Sequence, residues 1–471
     1  MQLTDAAKAG NVTLALKLLK KKETNVNETD SDGCTPLIHA AMRNDEAMVE
    51  LLVKKGGADV NLGDKEGYTA LSCGAHGNNT AVVTWLVDKG GAEVDQADKE
   101  GGTPLFISSQ EGHKELVELL LAKGAKVNQA EKKGGTPLFI SSQKGHLEVV
   151  KQLLLKNATV DQAMNDGTTP LIISSQGGHQ EVVKLLLAKG ATANQANNDG
   201  VTPLLLSSMN GHQEVVKLLL ANGAKVDQAA GDGSTPLIVS SGYGHREVVR
   251  LLLAKGAKVD QAGKEGATPL ILSSQKGHTE VVKLLLAKGA NADLAMNDGA
   301  TPLLMSSQQG HQEVVKLLLT NGATVDQADD SGITPLFTSS AEGHKEVVKL
   351  LLANGAKADQ AANNGVTPLS ISRLQGHREV EELLLASIAK LEQAEQAAKV
   401  EVVKEEEEEG QVKRAARVCQ LCGKEAQRMK KCSVCKLVRY CAEECQLKDW
   451  KKHKKWCKET AARKKEGGKG S

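Results

Sequence analysis

Hydrophobic and polar residues follow the same order many times along the chain, and residues 103–133 show one complete unit. Thr103 can cap a helix whose first turn accommodates Pro104, because a proline there loses no hydrogen bond. Gly112 is suited to end that helix at a positive φ, and a second helix should begin near His113. The second helix should bury an apolar face made of Leu116, Val117, Leu120 and Leu121. Glu115 and Glu118 lie on its outer side, and Gly124 ends it.

This unit recurs with a fixed period. All ten prolines of the chain lie in the tripeptide Thr-Pro-Leu, and the last nine are spaced 33 residues apart. In one further copy Ala70 replaces the proline, and two intervals lengthen to 34 because of an extra glycine, in Gly56-Gly57 and in Gly90-Gly91. A helix pair of this size cannot bury its apolar face alone, so neighbouring units must stack. The sequence therefore predicts a mainly α-helical solenoid.

Eleven such tripeptides run from Thr35 to Thr367, and a degenerate unit precedes them, with residues 6–11 in its first helix and residues 14–19 in its second. This repeated sequence resembles the ankyrin repeat family over roughly residues 3–386, in about twelve repeats. The family usually has His and then Ala-Ala after the tripeptide, whereas this chain keeps only His39 and mostly has Ser-Ser. Serine is small enough to pack there, but its buried hydroxyl needs a partner.

Nine histidines recur directly after the glycine between the two helices, and such a series could suggest catalysis. Residues 33 apart lie about one layer of 10 Å from each other, which is too far to share a metal ion or a proton. We therefore predict that each histidine hydrogen-bonds turn backbone at the same place in every unit. The nine are His113, His146, His179, His212, His245, His278, His311, His344 and His377.

The units differ from one another at the tips between units and at the two residues before each turn glycine. The resemblance implies that tips and first helices line a concave, partner-binding face. Exposed loops also vary in any fold, so recognition and simple tolerance both remain open. The varying pairs are Glu131-Lys132, Asn197-Asn198 and Asp329-Asp330 at the tips, and Gln110-Glu111, Met209-Asn210, Gly242-Tyr243 and Leu374-Gln375 before the glycines.

Composition divides the chain into four parts. Residues 1–386 form the predicted array. Residues 387–417 begin with helix formers and continue into an acidic run, Glu405–Glu409, so we predict a helical extension that frays into a solvated acidic linker. A contact between this run and the basic module after it is the alternative. Residues 418–457 hold most of the cysteines, and residues 458–471 are predicted to be a basic disordered tail.

Charge is divided unevenly between these parts. Residues 411–471 carry 19 Lys and Arg against six Asp and Glu, a net +13, which leaves −12 for residues 1–410 of a chain whose total is +1. No secretory signal and no stretch of 18 apolar residues is visible, so we expect no membrane span. Cys34 and Cys73 should be reduced thiols in a protein that is not secreted. The predicted compartment is the cytoplasm, the nucleus or both.

Eight soft ligands lie within 39 residues near the end of the chain. Zinc takes four Cys or His ligands in a closed structural site, so eight ligands imply two Zn²⁺ ions. A segment this short and poor in large apolar residues cannot fold without them. Disulfides are the competing account, but seven cysteines is an odd number and a histidine completes the pattern. The ligands are Cys419, Cys422, Cys432, Cys435, Cys441, Cys445, His453 and Cys457.

This spacing, with Tyr440 before Cys441, Gln446 after Cys445 and Trp450 before His453, resembles the MYND-type zinc finger. The resemblance implies interleaved ligand pairs. It assigns Cys419, Cys422, Cys441 and Cys445 to one ion, and Cys432, Cys435, His453 and Cys457 to the other. It also implies a groove for proline-rich peptides, to which Gln446 and Trp450 contribute. An extended proline helix costs little entropy to order on an aromatic side chain. Trp456 is instead expected to be core.

These features predict a non-catalytic adaptor that binds one protein through the array and a proline-rich peptide of another through the finger. We find no motif of an enzyme or of a small-molecule site, and closed zinc sites leave no open position for chemistry. The alternative is a regulator associated with nucleic acid or chromatin that uses the basic finger and tail. Basic clusters also attract acidic proteins, and base-stacking aromatics are few, so we expect nucleic-acid binding to be absent or weak.

Overall fold

The structure is a computed structural model that describes residues 2–415 and the short segments 430–431 and 439–440. Residues up to Glu381 form one compact unit, and residues from Glu382 onward belong to a second one. Within the described part of the chain, no helix combines the length and the apolar character needed to cross a bilayer.

Twelve helix pairs follow one another along the described chain, as the period predicts. The first helices of the pairs are Leu3–Lys8, Pro36–Met42, Ala70–His76, Pro104–Glu111, Pro137–Lys144, Pro170–Gln176, Pro203–Met209, Pro236–Gly242, Pro269–Gln275, Pro302–Gln308, Pro335–Ala341 and Pro368–Leu374. The second helices are Val12–Leu19, Glu46–Glu50, Thr80–Trp85, Lys114–Ala122, Leu147–Leu155, Gln180–Ala188, Gln213–Ala221, Arg246–Ala254, Thr279–Ala287, Gln312–Thr320, Lys345–Ala353 and Arg378–Ala415.

The unit at residues 103–133 folds as its sequence predicts. The Thr103 hydroxyl oxygen accepts a hydrogen bond from the Phe106 N–H at 3.1 Å and caps the first helix, which ends at Gly112 with φ 79°. The four apolar residues of the second helix are buried, whereas Glu115 and Glu118 are exposed. A threonine caps the first helix of every unit from the second to the twelfth, so each of these helices begins at the same point of its unit.

Neighbouring units are joined by packing and by hydrogen bonds between their tips. First helices pack against first helices along the whole array, and the leucine of each tripeptide from Leu37 to Leu336 is almost completely buried between them. At the tips, the Lys132 N–H donates to the Glu100 carbonyl oxygen at 2.9 Å, and the Asn165 N–H donates to the Lys133 carbonyl oxygen at 2.8 Å. The solenoid is therefore held together by contacts between adjacent units.

Each of the two extra glycines alters the end of the second helix that comes before it in the sequence. The second helices of the two units concerned end in π-helical turns, Leu51–Lys55 and Leu86–Gly90, which follow Glu46–Glu50 and Thr80–Trp85 directly. In the first of these turns the Gly56 N–H donates to the Leu51 carbonyl oxygen five residues earlier, at 3.2 Å. A π-turn holds one more residue than an α-turn. The insertion is therefore absorbed within the helix, and the next unit starts in the same geometry.

The Ser-Ser pairs behave differently at their two positions. The first serine bonds back to its own helix, as where the Ser207 hydroxyl donates to the Leu204 carbonyl oxygen at 3.1 Å. The second serine, for example Ser208, is fully buried, and its hydroxyl has no hydrogen-bond partner among the described residues. The expectation that these hydroxyls need partners is met at the first position only.

The last second helix is much longer than the others and runs without a break from Arg378 to Ala415, through Glu405–Glu409 and Gly410. After it, two short antiparallel strands, Lys430–Lys431 and Arg439–Tyr440, pair with Lys430 opposite Tyr440 and Lys431 opposite Arg439. The strands come directly before Cys432 and Cys441 in the sequence.

Candidate interaction surface

The nine repeated histidines are structural, and each one bonds the unit in front of it. His212 Nε2 lies 2.9 Å from the Gln176 carbonyl oxygen, and His146 Nε2 lies 2.9 Å from that of Gln110. A carbonyl oxygen only accepts, so Nε2 carries the proton in this tautomer. The prediction of one repeated place in every unit is confirmed, but the bonded backbone is helical and is not that of the turn. The bonded backbone belongs to the last turn of the preceding unit's first helix.

Sequence reasoning missed one member of this series. Asn79 occupies the histidine position of its unit, and its Nδ2 donates to the carbonyl oxygens of Ala41 at 2.7 Å and Met42 at 3.2 Å. Its position, 34 residues before His113, was the available signal. The asparagine amide reaches the backbone of the preceding unit as the histidine rings do. The series of side chains that bond the preceding unit therefore begins one unit before the first of the nine histidines.

A groove lies between the tips and the first helices. Three consecutive cavities of about 620, 580 and 450 Å³ mark it, from Met42 at one end to Ser234 at the other. The first two cavities share Phe106 and Glu131, and the second and third share Val201 and Leu206, so the groove is continuous. The structure thus brings together the variable tip and first-helix positions here, including Gln110, Glu131, Asn197, Asn198 and Met209.

The first cavity is acidic around an apolar floor. Asp64, Asp98, Glu100 and Glu131 line it, and no Lys or Arg is among its described lining residues. Tyr68 and Phe106 are partly exposed in the floor, where burial and the nearby Asp98 charge raise the pKa of the Tyr68 hydroxyl. Cys73 lies beside them, and burial raises the pKa of its thiol to about 12, so it is neutral at pH 7.

The acidic side chains of this cavity also cap tight turns at the tips. Asp98 Oδ1 accepts the N–H groups of Glu100 at 2.9 Å and Gly102 at 2.8 Å. Asn197 does the same in a later unit, where its Oδ1 accepts from Asp199 at 3.1 Å and Val201 at 2.9 Å. An uncharged amide therefore serves the turn equally well. The negative charge at this position is not required by the backbone.

A further acid nearer the first unit, Asp30, is already paired with basic side chains. Asp30 Oδ2 contacts Lys8 Nζ at 2.8 Å and His39 Nε2 at 2.9 Å. The hydrogen bond from Lys8 is the main cause that holds the pKa of Asp30 well below its usual range, and the bond from His39 adds to it. Cys34 is close enough to complete a three-ligand group with Asp30 and His39. Lys8 already supplies a positive charge beside Asp30. Because Lys8 belongs to the first unit and His39 to the second, the two contacts of Asp30 tie these units together.

The predicted zinc and peptide residues lie outside the described residues. This applies to all eight zinc ligands and to Gln446, Trp450 and Trp456. The donor set itself, thiolates and one imidazole in two groups of four, has the chemistry that zinc prefers. The assignment of these residues therefore remains a prediction.

Two families match the chain. The family described as ankyrin repeats (3 copies) matches overlapping stretches that together cover residues 3–394, and the family described as MYND finger matches residues 419–457. The crystal structure of the human ASB11 ankyrin repeat domain is 30% identical to this chain, with a TM-score of 0.44. That match covers 47% of this chain and 98% of the solved one. Among curated proteins, none matches.

The stacked helix pairs, their capped starts and their bonded tips define a repeat protein of the α-solenoid class. The chain belongs to the ankyrin repeat family, and it carries a MYND finger after the array. Both modules are non-catalytic protein-interaction modules, and the finger is a zinc-binding one.

Proposed function

We propose that this protein is a non-catalytic adaptor with two binding surfaces. The groove of the array binds one protein, and the finger at residues 419–457 binds a proline-rich peptide of another. The continuity of the groove carries the first part of the proposal, because three cavities with shared walls form an elongated surface suited to a polypeptide. The match to the MYND family supports the second part.

Affinity capture tests the division of labour. The baits are the full chain, a chain that ends at Ala415 and so lacks the finger, and the full chain with Trp450→Ala. Partners of the array should be captured by all three. Partners of the finger should be captured by the unaltered full chain alone. If every partner is lost together when the finger is removed, the array has no independent binding role and the proposal is wrong.

We further propose two structural Zn²⁺ ions in the finger. Cys419, Cys422, Cys441 and Cys445 would hold one, and Cys432, Cys435, His453 and Cys457 the other. Bound zinc supplies folding free energy to a segment too short to have a large core. Elemental analysis of the reduced full chain should return two zinc ions, and Cys441→Ser should lower that number while the circular dichroism of the helices stays nearly unchanged. One ion or none in the unaltered chain would refute the assignment.

The peptide site of the finger is proposed at Gln446 and Trp450. The two residues are four apart, so on a helix they share one face, where the amide can bond a peptide carbonyl group and the indole can pack a proline ring. Trp450→Ala should weaken a proline-rich peptide by about 1–3 kcal/mol, or about ten- to a hundredfold, with zinc content unchanged. Unchanged affinity in a fully metallated Trp450→Ala chain would place the peptide site elsewhere.

The proposed location is the cytoplasm or the nucleus. Cys34 and Cys73 are both buried and free, which suits a reducing compartment. Imaging of the tagged full chain would decide between the two, and secretion into the medium would contradict both.

A further inference from the structure

We propose that the acidic end of the groove binds an extended peptide of a partner protein through two basic side chains spaced three residues apart, with apolar side chains following them. This rests on the proposed adaptor function and specifies the chemistry of the array's ligand.

The charge of the first cavity points to a cationic ligand. Four carboxylates line it, and of these only Glu100 has a described basic neighbour, Lys132, with Nζ 3.6 Å away. Asp64 and Asp98 each use one carboxylate oxygen, Oδ1, for the turn. Asp64 Oδ2 lies 4.0 Å from the Cys34 thiol, and the Asp98 carboxylate interacts with the Tyr68 hydroxyl, but neither carboxylate is paired with a described basic side chain. Their negative charge therefore remains available to a cationic ligand.

The spacing of the carboxylates does not favour a single metal ion as the ligand. Among the described residues, only Asp30, Cys34 and His39 place three candidate ligand atoms within 4.8 Å of one another, and none of these lines the first cavity. The cavity's acids belong to tips of successive units, which lie about 10 Å apart. In the extended polyproline II conformation a chain rises about 3.1 Å per residue with three residues per turn, so side chains three residues apart lie on one face, about 9 Å apart, and would reach successive tips.

Beyond the first cavity the groove gains aliphatic side chains, and single acids still line it, Asp166 in the second cavity and Asp199 and Asp232 in the third. Met164, Ile173 and Leu206 are partly exposed in the second cavity, which also has Lys133. A ligand that lies along the groove would therefore pass from the four carboxylates of the first cavity to a stretch where aliphatic side chains lie beside single acids. Tyr68 and Phe106 at the acidic end can pack the methylene groups of a lysine or arginine and offer their ring faces to its charge.

The acids are not explained by folding. The turn at Asp98 is closed by its N–H donating to the Gly102 carbonyl oxygen at 3.0 Å, and the turn at Met164 is closed by the same bond to Thr168, also at 3.0 Å. Asp, Glu, Asn and Met thus occupy one backbone position in different units. The acidic residues cluster in consecutive units that share one groove, which is what a cationic ligand requires.

The test uses the full chain with its finger and two matched double variants. Asp98→Asn with Glu100→Gln removes two charges from the cavity and keeps the turn, since Asn197 already makes it elsewhere. Asp329→Asn with Glu265→Gln removes the same charges at equivalent tip positions outside the three cavities. The probe is a fluorescent peptide with two arginines three residues apart and two leucines after them, used also in reversed order. A glutamate version serves as its control.

We expect the arginine peptide, in one of its two orders, to bind the unaltered chain and the remote variant alike, and to bind the cavity variant about tenfold more weakly. Its affinity should fall with added salt, and placing the two arginines side by side should weaken it. Equal loss in both variants would show unspecific attraction to an acidic protein, and binding of the glutamate peptide as well would do the same. Either result would overturn the proposal.

Two further outcomes separate this proposal from the adaptor function. If the cavity variant still captures the same array partners as the unaltered chain and no probe binds, the adaptor function stands and this ligand chemistry is wrong. If the probe binds only after residues 458–471 are deleted, the occupant is the chain's own basic tail, and the proposal of a partner peptide is also wrong.

Discussion

The early units of the array and its middle units share one backbone but present different side chains. Five residues before the tripeptide threonine, the early units carry acids and the middle units carry neutral residues. These are Asp30, Asp64, Asp98 and Glu131, then Met164, Asn197, Ala230, Gly263 and Met296. The second position of the Ser-Ser pair differs as well, since the units that begin at Thr35 and Thr69 have Ala41 and Ala75 there.

The difference shows which positions serve the fold and which are free to serve recognition. Positions that cap helices or bond the preceding unit keep their chemistry, and where the residue type changes, as from His113 to Asn79, the bond survives. The position five residues before the threonine can change because the backbone bond of its turn forms whatever side chain it carries. Positions that face the groove, and whose side chains the backbone does not require, change from unit to unit. Four predictions test this division between early and middle units, from the largest expected effect to the smallest.

The bond between units should matter more in the early region. Asn79 is only 8% exposed, and its amide serves two carbonyl oxygens. Asn79→Ala should lower the free energy of unfolding by about 2 kcal/mol, because both hydrogen bonds of a buried amide are lost. His245→Ala should cost about 1 kcal/mol, since that side chain is only partly buried. Urea denaturation of both variants measures this, and equal losses would contradict the predicted difference.

The buried serine hydroxyls without a described partner should lower the stability of the middle units. Ser208→Ala removes a buried hydroxyl that has no described partner and should stabilise the array by about 1 kcal/mol. The reverse change in an early unit, Ala75→Ser, should destabilise it by a similar amount. Ser207→Ala is the control, since it removes a hydroxyl bonded within the helix. A loss of stability in Ser208→Ala would show that this hydroxyl has an undescribed partner, such as a buried water.

The common backbone can be tested at the end of a second helix. Asn157 adopts φ 62° at the position where other units have glycines such as Gly190 at φ 90°. Asn157→Gly should leave stability unchanged or raise it by a few tenths of a kcal/mol, and Asn157→Ala should lower it by about 0.5 kcal/mol. Gly190→Ala, where no neighbour lies within 4 Å of an added Cβ, is the matched control for strain alone. Thermal unfolding of the three variants gives the comparison.

Acid should loosen the first unit before the middle ones. The pKa of Asp30 is lower in the folded chain than in the unfolded one, so its contribution is complete above the unfolded pKa of about 3.9 and is lost as the pH falls below that value. Hydrogen exchange at pH values below about 4 should show faster exchange in the helix Leu3–Lys8 than in Pro203–Met209, with little global unfolding. Asp30→Asn should remove this pH dependence, and an unchanged profile would refute the role of Asp30.

Much of the fold was predictable because each unit is specified locally and then repeated. The helix limits at residues 103–133, the threonine caps, the buried face of the second helix and the count of about twelve units all follow from residues close together in the sequence. The groove positions could also be named in advance. Their union into one continuous surface could not, because that depends on how tips from successive units approach each other.

The sequence by itself determined the repeating unit, its period and the ligand pattern of the finger, because helix caps, turn glycines and metal-ligand spacing act over a few residues. Tertiary structure decided what those residues meet. The extra glycines became π-turns because the next unit must stack in register. Asn79 became the partner of Ala41 because stacking brings the end of the preceding unit's first helix, 38 residues away, within reach. The acids of successive tips line one cavity because stacking places those tips side by side. Contacts between units set these outcomes, and no single unit encodes them.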